Sequence, residues 1–120
     1  MMNNLINVLV SLLPLMVKQV SWDGDTLTIA GDGWSFSTLS AWRISNSESV
    51  QFGCWDKDID ESVKGLSGLN IIAVKIQGST ITVDPIFELS DGRILEVFAT
   101  DTVEPWVIKL PDGKVYVGGT

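Results

Sequence analysis

The strongest constraint on the fold of this chain is a series of three β-rich runs within residues 71–98. The runs are separated by Gly78-Ser79 and by a Ser-Asp-Gly triplet at 90–92. Short glycine-containing turns between such runs are typical of antiparallel hairpins, because glycine adopts the backbone angles that tight turns require. The segment predicts a small β-meander, and the fold class predicted for the chain is mainly β with some helix (α+β).

A second antiparallel meander is predicted upstream, and the two stretches look like related halves, at about 17–44 and 71–108. Aligned without gaps, residues 17–29 match residues 71–83 in their apolar, Thr and Gly positions. The first half ends in a Trp-x-Ile pattern that starts at Trp42, and the second half ends in the same pattern, which starts at Trp106. Each half is predicted to be a twisted sheet with one apolar face, and two such faces can bury one another or share a helix.

The apolar segment at residues 5–13 predicts an N-terminal helix that covers the sheet. Asn4, Asn7 and Ser11 fall on one side, which leaves apolar residues over most of the helix circumference. Asn4, or the asparagine before it, can cap the start, and Pro14 should end the helix. The run is too short for a bilayer and lacks the basic flank of a signal peptide, so no membrane association is expected. A buried strand is the alternative.

Length, charge and cysteine content narrow the classes of protein. A chain of 120 residues with 45% apolar residues predicts one folded domain, 1–120. The net charge is −7 with only eight Lys and Arg, which argues against nucleic acid as a ligand and favours a cationic protein partner. A single cysteine allows no intrachain disulfide, and the reducing cytoplasm is the simplest compartment.

The sequence predicts no catalytic residues, no metal site and no cofactor. Histidine is absent, which removes His-dependent nucleophilic catalysis and His-based zinc sites. Cys54 lies in a predicted strand, Val50 to Trp55, where Val50, Phe52 and Cys54 should share one face, and is interpreted as a small core residue. Alternating aspartates from residue 56 resemble the start of a calcium loop, but the sixth position is Glu instead of Gly and the twelfth is Ser instead of Glu.

Two further patterns leave an enzyme or a ligand-binding domain open as alternatives. Glu88 and Glu96 are a carboxylate pair of the kind that glycosidases use, although outward-facing Glu is also ordinary on a solvated sheet face. The five Trp residues could line a groove, although aromatic pairs at period two, such as Trp34 with Phe36, are mostly core packing. One or two of the Trp residues are expected to be exposed.

The candidate partner-binding site is an acidic segment that follows an aromatic residue. It consists of Trp55, Asp56, Asp58, Asp60 and Glu61, within or before a short helix or acidic loop predicted near residues 57–65. Carboxylates repel one another when they are close, so a cationic partner would relieve that repulsion, and Trp is enriched at binding hot spots. The simpler interpretation is a solvated helix start, where the helix dipole favours acidic residues.

The turn followed by residues 34–37 (Trp-Ser-Phe-Ser) and by residues 41–44 (Ala-Trp-Arg-Ile) resembles small bacterial toxin-immunity proteins. These belong to contact-dependent growth-inhibition and other polymorphic toxin systems. The resemblance covers the two meanders and implies a cytoplasmic antitoxin that binds and occludes a toxin nuclease domain. It implies no particular functional residues, because no motif defines them.

The first hypothesis is therefore a non-catalytic, acidic protein-binding module, an immunity protein for a cognate bacterial toxin. An acidic surface speeds association with a cationic partner, which suits an inhibitor that must act before the toxin does. The alternatives are a β-rich structural or assembly module, whose acidity gives solubility, and a small ligand-binding domain or enzyme with an aromatic groove.

Overall fold

The computed structural model describes residues 2–76, 84–98 and 105–118. Within these residues the chain forms two helices and eleven strands, which bears out the predicted mainly β fold. In chain order the elements are α1 (Met2–Leu12), β1 (Leu15–Met16), β2 (Gln19–Trp22), β3 (Leu27–Gly31), β4 (Trp34–Thr38), β5 (Ala41–Ser45), β6 (Val50–Gly53), α2 (Asp60–Lys64), β7 (Asn70–Ile76), β8 (Pro85–Leu89), β9 (Ile94–Phe98), β10 (Trp106–Lys109) and β11 (Val115–Val117).

The strands that the structure describes form two antiparallel sheets that pack face to face. The large sheet has the order β1-β7-β8-β9-β5-β6, and the small sheet has the order β2-β3-β4-β10-β11. Alternate residues point into the space between them, so that Trp34 and Phe36 are buried while Ser35 and Ser37 face outward. Phe36 of the small sheet meets Phe87 of the large sheet edge to face, with ring centroids 4.9 Å apart.

The two predicted halves correspond to the two sheets, but the last strand of each half, with the strand that follows it in the chain, belongs to the other sheet. β5 pairs with β9 of the second half, and β10 pairs with β4 of the first. As a result β2-β3-β4-β10-β11 and β7-β8-β9-β5-β6 have the same strand order. The related halves are thus present in the topology, together with an exchange of strands that the sequence did not predict.

Part of the gap-free alignment falls outside the described residues. The strand order makes β8 the counterpart of β3. Gly78-Ser79 and residues 80–83, which the alignment matches with residues 24–29, lie outside the described residues, so this part of the alignment stays a prediction.

The N-terminal helix covers one opening between the sheets, as the apolar pattern predicts. Leu5 and Leu9 are buried, and they line a small apolar space with Phe36, Phe87 and Trp106 from both sheets. A smaller part of the helix surface is buried than predicted, because Val10 on the outer side is 55% exposed. α1 begins before the asparagines that were expected to cap it, and it ends two residues before Pro14.

Two elements between the halves differ from the prediction. β6 ends at Gly53. Val50 is exposed although Phe52 is buried. The reason is a register shift against β5, which inserts one residue into β6 and turns the side chain of Val50 to the other face of the sheet. α2 covers only Asp60–Lys64 of the predicted range near 57–65, because Asp58 has a left-handed φ of 57° that cannot continue a helix. Neither helix in the described chain has the length and apolar content needed to cross a membrane.

Candidate functional site

Trp55 is the exposed aromatic residue at the centre of the candidate site. Its side chain is not in the core, and the residue is 58% exposed. The indole lies against Gly53 at the end of the edge strand β6, where a Cβ atom would be 2.7 Å from the ring. Only glycine leaves room for this contact, so Gly53 allows the indole of Trp55 to lie against the backbone at the sheet edge.

The turn after β6 holds Trp55 in place through Asp56. The Gly53 N–H donates to Oδ2 of Asp56 at 2.9 Å, and the Asp56 N–H donates to the Gly53 carbonyl at 3.0 Å. The Cys54 N–H donates to the Trp42 carbonyl at 3.1 Å, which ties the turn to β5. The carboxylate of Asp56 therefore has a structural role, since it closes the turn that presents Trp55.

The acidic segment exposes the side chains of Asp58, Asp60 and Glu61, whereas apolar residues of the same segment are buried. Ile59 and Val63 belong to the core, so the short helix α2 is fixed to the molecule by its apolar side. Asp60 and Glu61 occupy the first turn of α2, where the helix dipole favours carboxylates. The structure thus places the predicted site residues in one continuous segment, with three carboxylates facing solvent.

The outer face of the large sheet adds an ion pair next to this segment. Arg43 lies directly opposite Gly53 on one side and Glu96 on the other. Its guanidinium makes two hydrogen bonds to Glu96, at 2.8 and 3.2 Å, and the Ser45 hydroxyl donates to the same carboxylate at 2.9 Å. The sequence identified Glu96 but missed Arg43, although its position between two inward apolar residues, Trp42 and Ile44, indicated an outward side chain.

This ion pair determines the charge state of Glu96. The hydrogen bond from Arg43 lowers the pKa of Glu96 against the opposing effect of burial, and the bond from Ser45 lowers it further. A general acid needs the opposite shift, a raised pKa. Glu88 pairs instead with Lys75 at 2.8 Å, so both glutamates of the candidate carboxylate pair have a cationic partner.

The structure also separates the five Trp residues into core and surface. Trp34, Trp42 and Trp106 are buried, which contradicts a groove lined by all five. Trp22 is half-buried and packs edge-on against Trp42, with ring centroids 5.2 Å apart. Trp55 is the exposed member, as the prediction of one or two exposed Trp residues requires.

Cys54 is half-buried beside the core, consistent with its interpretation as a packing residue. Among the described residues no three His, Cys, Asp or Glu side chains come together closely enough to hold a metal ion. The alternating aspartates from residue 56 lie in this part of the chain. One of them, Asp56, is engaged with the backbone of Gly53.

Comparison with known proteins gives no relative from which to transfer a function: no protein-family model, no curated protein and no solved structure matches this chain significantly.

Proposed function

We propose that this chain is a non-catalytic, acidic protein-binding module that acts as a cytoplasmic immunity protein. Its partner would be the cationic nuclease domain of a bacterial toxin, which it binds and neutralises. The observation that supports the proposal best is the exposed Trp55, held against Gly53 at the start of an acidic segment. A large aromatic surface of fixed orientation is the usual centre of a binding hot spot.

Rigidity supports a binding role for this segment. Trp55 is restrained by the turn that Asp56 closes, and the carboxylates of Asp60 and Glu61 lie on a helix whose Val63 is buried in the core. A surface that is already ordered loses little conformational entropy on binding. The acidic residues then contribute mainly to the rate of association, because the chain carries a net charge of −7 and attracts a cationic surface over several ångströms.

The test begins with capture of partners by the tagged full-length chain, followed by kinetics with the captured protein. In the first variant, Asp58, Asp60 and Glu61 are all changed to Lys. This variant should associate more slowly and with a weaker dependence on salt. The matched control changes Asp25, Asp32 and Glu48 to Lys, which alters the net charge equally at exposed positions elsewhere. The control should bind faster than the first variant.

Trp55→Ala tests the aromatic part of the same surface. We expect the dissociation rate to rise and the affinity to fall by about 2 kcal/mol or more, which is about 30-fold. The neutralising role is checked separately, because the captured protein should be a nuclease whose activity is lost on adding one equivalent of the chain. A partner that binds both variants as tightly as the unmodified chain would place the interface elsewhere, and a partner without nuclease activity would contradict the immunity role.

A further inference from the structure

An open groove of about 540 Å³ lies beside α2, between the turn that follows it and strands β2 and β3. The groove adjoins the acidic segment, because Asp60 lines a neighbouring pocket together with Ser21 and Lys64. Its polar lining consists of Lys18, Gln19, Ser21, Thr28, Lys64 and Ser67.

The walls of the groove are held together by backbone and side-chain hydrogen bonds. Pairing of β2 with β3 sets Gln19 opposite Ala30 and Ser21 opposite Thr28, so that these side chains share one face of the small sheet. The Ser67 hydroxyl donates to the Lys18 carbonyl at 3.0 Å, and the Gly68 N–H donates to the Val17 carbonyl at 2.7 Å. The end of α2 is therefore fixed against the start of β2, and the groove is preformed.

The charge of the groove is opposite to that of the molecule. The chain has fifteen Asp and Glu against eight Lys and Arg, yet the groove lining contains two lysines and no carboxylate. Within the described residues Lys64 makes no ion pair. Lys18 pairs with Asp32 at the rim, but both side chains are largely exposed, and such pairs are weak enough for a ligand to compete.

From this lining we infer that the groove binds a small molecule that carries a phosphate or carboxylate group. The two ammonium groups would supply charge, and the Ser21 hydroxyl and the Gln19 amide would donate hydrogen bonds to the ligand oxygens. The overall negative charge of the chain disfavours non-specific binding of anions, so binding would depend on this local arrangement. The inference is independent of the proposed partner protein.

The test is a titration of the full-length, ¹⁵N-labelled chain with inorganic phosphate and, separately, with citrate, at constant ionic strength set by sodium chloride. We expect saturable amide shifts at Ser21, Thr28 and Ser67. Lys64→Gln should weaken binding by about tenfold, because it removes a charge-assisted hydrogen bond. Lys114→Gln is the matched control, since that exposed lysine lies in the turn between β10 and β11, away from the groove.

A response to phosphate alone would identify phosphate-bearing ligands, and a response to both anions would identify oxyanions in general. The inference is overturned if neither anion gives saturable shifts at the groove. It is also overturned if the two lysine variants weaken binding equally, because the effect would then reflect net charge and not this site.

Discussion

Glu96 shows how one residue can connect the two halves of the chain. It lies on β9 in the second half, and its partners Arg43 and Ser45 lie on β5 in the first. Arg43 also stacks over the ring of Phe98, with its Cζ atom 5.0 Å from the centroid. Removing the charge of Glu96 should therefore weaken the contact between β5 and β9.

We expect Glu96→Gln to lower the free energy of unfolding at pH 7 by about 1.5–3 kcal/mol, because the charge-assisted hydrogen bonds are lost. The pKa of Glu96 is lowered in the folded chain, so its charge stabilises the fold at pH values above the ordinary pKa of a glutamate side chain. That contribution is lost as the pH falls through the folded-state pKa. Urea unfolding at pH 7 and at pH 3 measures both quantities.

Glu88→Gln is the control for this experiment, since Glu88 pairs with the exposed Lys75 on the same sheet face. An exposed pair contributes about 0–1 kcal/mol, so this variant should change little. If Glu96→Gln destabilised the chain equally at both pH values, or no more than Glu88→Gln, the charge of Glu96 would not be important for stability.

At the scale of elements, α1 functions as the cover of the opening between the sheets. Leu9 is 2% exposed and Val10 is 55% exposed, although they are neighbours in one helix. Leu9→Ala should lower the free energy of unfolding by about 2–5 kcal/mol, because it leaves a cavity among the aromatic residues of the core. Val10→Ala should change it by no more than about 0.5 kcal/mol.

Thermal and urea unfolding of the two variants provide the comparison. Removal of residues 1–14 should be more damaging than Leu9→Ala, since it also removes Leu5 and uncovers both sheets. Similar stability of Leu9→Ala and Val10→Ala would contradict the role of α1 as part of the core.

The individual elements were largely predictable because their signals are local. Alternation in β4 and the glycine turns indicated hairpins. The pairing of β5 was not predictable, because Trp42 and Ile44 would point inward whichever strand lay beside them. Arg43 and Glu96 are separated by 53 positions, so their contact depends on that same unpredicted pairing.

The candidate sites likewise include one that was predictable from the sequence and one that was not. The acidic segment from Asp56 to Glu61 is continuous in sequence, and its exposure follows from its charge. The contact between Gly53 and Trp55 was also a local signal, since a glycine two residues before an aromatic residue at a strand end leaves room for the ring. The groove beside α2 could not be predicted, because it needs β2, β3 and the turn after α2 to meet.

At the scale of the whole molecule, the exchange of strands makes each half depend on the other. β5 lies between β9 and β6, and β10 lies between β4 and β11. Fragments 1–67 and 68–120, separated in the turn after α2, should each fail to unfold cooperatively when alone. Mixed together they should assemble into a one-to-one complex, because each supplies the strands that the other lacks.

Circular dichroism and urea unfolding of each fragment, and of the mixture, measure this dependence, with the uncut chain as the reference. Co-elution of the mixed fragments gives the stoichiometry. Cooperative unfolding of either fragment alone would show that one half contains a complete core of its own.

The exchange of β5 also has a consequence for synthesis on the ribosome. β5 leaves the exit tunnel long before β9 has been translated, so the emerging chain carries an apolar strand whose neighbour does not yet exist. Non-local pairing of this kind slows folding and leaves strand edges open to other chains. We therefore expect a translational pause after β6 to increase aggregation of the nascent chain, whereas a pause after β11 should have little effect.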